Sequence, residues 1–191
     1  MNNKYITNRD IAMMVILFAV ALIRVFNNAS PNLEALANFS PVAAMALFGA
    51  VKSGNYIKSL LVPVLALLVS DLLLYATVYS NYSDGFLYGG WYWVYGAFVL
   101  MAMAAKLIVK KVTMASVATA VLVTVFIHWV VTDFGAWLGS TVYPQTMTGF
   151  VACLAAAIPF ELRLLAATIF YSGIMFGLSH LLLHRMVTAR K

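Results

Sequence analysis

Thr124, His128 and Thr132 recur at every fourth residue, and Trp129, Asp133 and Trp137 repeat that spacing one residue further on. Residues four apart share a face of a helix. An imidazole, two hydroxyls, a carboxylate and two indoles therefore fall on two adjacent stripes. All of them lie in an apolar run, and hydrocarbon leaves each polar group in need of a partner, so this face does not meet lipid. An ionisable side chain at membrane depth points to a functional site by default, because placing it there is costly. The groups could anchor a polar solute, stack on a flat one, or, as His128 with Asp133, exchange a proton as an acid–base pair.

Other charged residues join them. Asp71 lies late in another apolar run, Arg24 ends the first run, and Glu161 and Arg163 open the last. An unpaired charge at the bilayer centre costs about 2.5–3.5 kcal/mol on insertion scales. Arg24 or Arg163 is therefore expected to pair with Asp71 or Asp133. The pairs could be purely structural, or could form the floor of a pocket. His180 and His184 are spaced to share a metal but sit at the end of a span, where an interfacial role is expected. Cys153 reads as a small packed residue. No phosphate-binding GxxxxGK[ST], HExxH or GxSxG motif occurs.

The elements that must position these residues are legible in the composition. The chain has 191 residues, 64% hydrophobic and 9% charged. Soluble domains carry about 25% charged residues. The apolar excess comes in long blocks, which reads as an all-α integral membrane protein in a single domain, 1–191. Six spans are expected, at about 11–26, 41–51, 56–78, 91–109, 115–138 and 161–183. Ser40 and Pro41 make a good start for the second, which is short for a spanning helix. Pro63 is expected to kink the third. The stretch 148–160 is apolar but too short to cross alone, and is expected to be a re-entrant or surface helix. A net charge of +6 would suggest nucleic acid in a soluble protein. Here the basic residues fall between spans instead. With both termini cytoplasmic, ten of the twelve Lys and Arg lie inside, and only Arg24 and Arg163 lie outside. Asp71, Asp133, Arg24, Glu161 and Arg163 then gather in the outer half of the membrane.

Three segments carry a family resemblance. They are Asn38 to Gly49; Ser70 with Asp71; and Phe134 to Trp137 with Tyr143 to Thr146, Gly149, Cys153 and Ile158 to Phe160. In order and spacing they resemble a family of small, uncharacterised bacterial membrane proteins assigned to transport. That family is similar to the substrate-binding (S) components of energy-coupling-factor transporters. The resemblance implies six helices, uptake of a vitamin or similar micronutrient from outside, and docking on energy-coupling transmembrane and ATPase subunits. Asp133 departs from it, standing where the family is expected to carry Asn. The nearest small-residue docking pair is Ala46 with Ala50, in the second span instead of the first.

The expectation is a multi-pass protein of the bacterial inner membrane that binds a small organic solute in an outward cavity. Arg24, Asn38, Asp71, His128, Asp133, Trp137, Tyr143 and Arg163 are the candidate contacts. The loop at Asn38 and the turn at Tyr143 and Pro144 would close over the ligand. No enzymatic activity, cofactor, metal or nucleic-acid partner is expected. The alternatives are an accessory subunit of a larger membrane complex, whose charges are only structural pairs, and a membrane enzyme using His128 and Asp133.

Overall fold

The structure, a computed structural model, describes residues 22–23, 26, 39–52, 56–79 and 87–188. The expected first span, with Arg24, lies almost wholly outside these residues, as does Asn38. Among the described residues there are five helices and no strand: α1 (Val42–Lys52), α2 (Tyr56–Leu74), α3 (Trp91–Ile108), α4 (Met114–Trp137) and α5 (Met147–Thr188). A π-helical turn, Tyr75–Tyr79, extends α2.

Three of the helices are long and apolar enough to cross a membrane: Trp91–Ile108, Met114–Trp137 and Met147–Leu181 of α5. Their outer faces fit that reading. Leu61, Leu65, Val69 and Leu72 form an exposed apolar stripe along α2, and Leu122 and Phe126 do the same on α4. In water, so much exposed apolar surface would be a liability. Against lipid it is the ordinary outer face of a bundle.

The last two expected elements are one. The stretch 148–160 does not form a separate re-entrant or surface helix. It runs without a break into the last span, giving an α5 of 42 residues. Pro159 lies inside that helix and forfeits one backbone hydrogen bond without ending it. Neighbouring helices let such a proline be tolerated at membrane depth. Glu161 and Arg163 therefore lie well inside a helix and not at its start. Helix α2 likewise continues through position 63.

The short helix α1 is the hub. Its 11 residues reach only ~17 Å, about half of a ~30 Å hydrocarbon core. Val42, Ala43, Ala44, Met45, Ala46, Leu47 and Ala50 are all buried. A helix that is apolar all round must be enclosed. As the Ser40–Pro41 pair implies, Ser40 precedes the first turn, and its Oγ accepts the Val42 N–H at 3.4 Å.

Two layers of core show where α1 sits. Its first half packs with Ala66 and Leu67 of α2, Phe98 and Met101 of α3, Val125 of α4 and Leu164 of α5. Its second half packs with Ala102 and Ala105 of α3 and Ala120 and Val121 of α4. Val125 is at the middle of α4, so α1 runs from mid-bundle toward the Met114 end. With Phe176 of α5 packed on the second layer and Asp71 of α2 bonded to Tyr95 of α3, one turn before Phe98, these contacts fix direction: α1, α3 and α5 run one way, and α2 and α4 the other. Alanines spread through both layers let the helices approach closely, which is how apolar helices associate where lipid is as apolar as they are.

Helix ends are set locally. Thr113 and Ser116 form a reciprocal capping box at the start of α4. After Leu138 the chain turns through Gly139 at φ 77°, the left-handed conformation that favours glycine just past a helix. Near that end, α3 and α4 touch at Gly135. A Cβ there would fall inside the Trp93 ring. Gly135→Ala is therefore expected to cost about 1–3 kcal/mol by overpacking, read as a lower thermal unfolding midpoint in detergent. An unchanged midpoint would mean that the α3–α4 contact is loose.

Candidate functional site

Four polar side chains, one from each of α2 to α5, form a layer across the bundle. Asp71 is one helical turn beyond Leu67, and Tyr95 is one turn before Phe98. His128 is one turn beyond Val125, and Glu161 is one turn before Leu164. Leu67, Phe98, Val125 and Leu164 belong to the apolar layer that packs the first half of α1. Alternating helix directions place all four polar residues on the same side of that layer, beyond the starting end of α1. A turn of helix advances ~5 Å. On α4, His128 lies ~4 Å past the helix midpoint and Asp133 ~11 Å past it.

Within the layer the contacts are specific. His128 Nδ1 and Glu161 Oε1 share a hydrogen bond of 3.0 Å, with side-chain exposures of only 18% and 12%. The second carboxyl oxygen of Glu161, Oε2, is buried and has no hydrogen-bond partner among the described residues. The Tyr95 hydroxyl donates to Asp71 Oδ2 at 3.0 Å, and Asp71 is 3% exposed. Phe98 joins the two pairs. It lies three residues from Tyr95 on the same face of α3, and its ring meets the imidazole of His128 edge-on at 5.8 Å.

The two stripes on α4 divide their work. Thr124 and Thr132 donate back to carbonyls of their own helix, those of Val121 and His128. Of that stripe, His128 alone bonds to another helix. The neighbouring stripe binds α4 to α5 and to the turn between them. The Trp129 indole N–H donates to the Leu154 carbonyl at 3.1 Å. The Cys153 thiol lies 3.7 Å from the Asp133 carbonyl and 4.0 Å from its Oδ1. The Trp137 indole N–H donates to the Pro144 carbonyl at 2.8 Å.

The turn at Tyr143 and Pro144, expected to close over a ligand, is firmly tied to the end of α4. Gln145 Nε2 donates to the Trp137 carbonyl at 2.7 Å, and the Tyr143 N–H donates to Ser140 Oγ. Beneath it, Trp93, Phe134, Trp137 and Phe150 form a continuous aromatic cluster with centroid spacings of 5.3–5.9 Å.

Of the expected contacts, the structure brings Asp71 and His128 into one layer and puts Asp133 beyond it. Trp137 and Tyr143 lie at the end of the bundle. Arg163 does not pair with Asp71 or Asp133. Its guanidinium sits 5.7 Å from the Phe160 ring centroid, a cation–π contact within α5. Among the described residues, the pair His128–Glu161 is the one acid–base contact within ion-pair distance. Glu161 is not among the expected contacts, and the sequence places it at the start of the last span. The unbroken apolar stretch from Met147, which places Glu161 deep within a helix, was the signal. No cluster of three or more metal-ligating side chains occurs among the described residues.

Removing one partner of a buried hydrogen bond strands the other. His128→Ala and Glu161→Ala are each expected to cost about 1–3 kcal/mol. A double-mutant cycle in detergent should give a coupling of at least about 0.5 kcal/mol. Additive single effects would mean that the contact contributes nothing.

No curated protein and no solved structure matches the chain. Residues 4–189 match DUF6580, a family of unknown function, and the chain belongs to that family.

Proposed function

We propose that this chain is an uptake protein of the bacterial inner membrane that binds a small organic micronutrient, a vitamin or cofactor precursor, in an outward-facing cavity. It acts by binding and carrying, not as an enzyme. The observation that carries the reading is the polar layer beyond the starting end of α1. A helix that stops halfway through a bundle, with an acid, a phenol and a histidine–glutamate pair just past its end, resembles the midplane sites of carriers built on broken helices. Polar groups at that depth are costly unless they serve a solute or one another. The aromatic cluster of Trp93, Phe134, Trp137 and Phe150 would form the outer wall, and Asp71, His128 and Asp133 the polar anchors. Arg24, Asn38, Tyr143 and Arg163 complete the candidate contacts. Six spans with both termini cytoplasmic would give the positive-inside arrangement. Energy-coupling transmembrane and ATPase subunits are the partners of a component of this kind, and a solitary carrier is the other arrangement.

The second reading is an accessory subunit, favoured by the bond from Tyr95 to Asp71, which suits a purely structural acid. Native mass spectrometry of protein purified from its own membrane separates the two. A small molecule retained by the native protein and lost in Asp71→Ala and Asp133→Ala is the expected result. A ligand-free protein that always carries another membrane protein in fixed ratio would overturn uptake in favour of the subunit.

A further inference from the structure

We infer that His128 and Glu161 form a proton-binding site, and that the proton held there is the coupling ion for the uptake proposed above. The site rests on geometry alone; only the coupling role rests on that proposal. His128 and Glu161 share a hydrogen bond of 3.0 Å between α4 and α5 and are both largely buried. Either the imidazole or the carboxyl group can hold the bridging proton. Glu161 Oε2, buried and without a partner among the described residues, leaves half of the carboxyl group unanswered by them. Asp133 lies ~7 Å further along α4 than His128.

Among the described residues, no fixed cation balances this cluster. Among the described residues, no Lys or Arg lies within ion-pair distance of Asp133 or Glu161. Arg163, only two residues from Glu161, is turned onto Phe160. The other titratable groups around the cluster are few. Helix α5 contributes the Cys153 thiol, against Asp133. On α3, Tyr95 is engaged with Asp71 of α2, and Lys106 lies toward the opposite end of that helix. On α1, the one basic residue of the last turn is Lys52, at the far end. A carboxylate and a neutral imidazole that share one hydrogen bond are neutralised by taking up a single proton, held on either partner. Chains of acid and histidine side chains at membrane depth are what proton relays are made of. Proton coupling also needs no ATPase, so it supports the solitary arrangement.

The test has two arms. The first follows the ring nitrogens of labelled histidines by NMR in lipid nanodiscs as pH is varied, with His128→Gln to assign the signal. The expected result is a His128 ring-nitrogen signal whose response to pH is altered in Glu161→Gln. A response indifferent to Glu161→Gln overturns the site. The second arm uses proteoliposomes containing a pH-sensitive dye and a panel of vitamins, nucleobases and cofactor precursors. A panel member that binds should enter with acidification of the interior, and Glu161→Gln should abolish the acidification. Entry without acidification overturns the coupling. If no member binds, the uptake reading fails and the coupling with it, while the titration still decides the site.

Discussion

A carboxyl group enclosed by apolar helices must be answered by another side chain, and the answer given by His128 to Glu161 is what the centre of this bundle depends on. The hydrogen bond fixes the register of α4 against α5. From it, the other contacts of the hairpin follow at matched heights. Trp129 meets Leu154, Asp133 meets Cys153, and Trp137 meets Pro144, each pair nearer the turn than the last. A slip of one residue would turn His128 off the facing side of α4 and leave two buried polar groups stranded. Lipid offers neither a donor nor an acceptor. The pair therefore constrains more through the cost of losing it than through the modest net worth of one hydrogen bond.

Packing around α1 supplies the rest. Because lipid tails are as apolar as leucine, burial of leucine does not by itself hold such helices together. Close contact does, and Ala43, Ala46, Ala50, Ala102, Ala105 and Ala120 make it possible on three helices at once. The enclosure also explains the length of α1. Its buried sides fill the half of the bundle nearer the Met114 end of α4. The other half carries Asp71, Tyr95, His128 and Glu161. Apolar and polar layers therefore follow one another along the bundle axis, separated by a single helical turn. The same step joins packing to chemistry, since Phe98 touches both the α1 layer and the imidazole.

At the far end, the aromatic cluster and the turn close the hairpin. Gln145 and Trp137 bond across the turn, so its shape is held by the helix it leaves. The acids at membrane depth are answered by a phenol, an imidazole and a thiol among the described residues, not by Arg163. Those partners can all lose or gain protons, which a guanidinium does not do in proteins. The difference separates a layer built only to be stable from one able to change its charge.

Much of this was legible in the sequence, because hydropathy and periodicity are local properties. The apolar blocks gave the helices, Ser40 with Pro41 gave the start of α1, and four-residue spacing gave the two stripes on α4. Helix periodicity also showed which residues share a face. It could not show that Thr124 and Thr132 bond to their own backbone while His128 crosses to α5, because both choices fit the same spacing. Length misled at one point: 148–160 is too short to span alone, yet its helix continues through Pro159, since neighbouring helices support a backbone that the isolated sequence would be expected to break. That continuity moves Glu161 from the edge of a helix to its interior. The sequence by itself determined an all-helical chain with polar residues at set heights along apolar segments. Only the tertiary structure decided that four of those heights coincide, because the meeting of α2, α3, α4 and α5 depends on helix direction and register, which no single segment encodes.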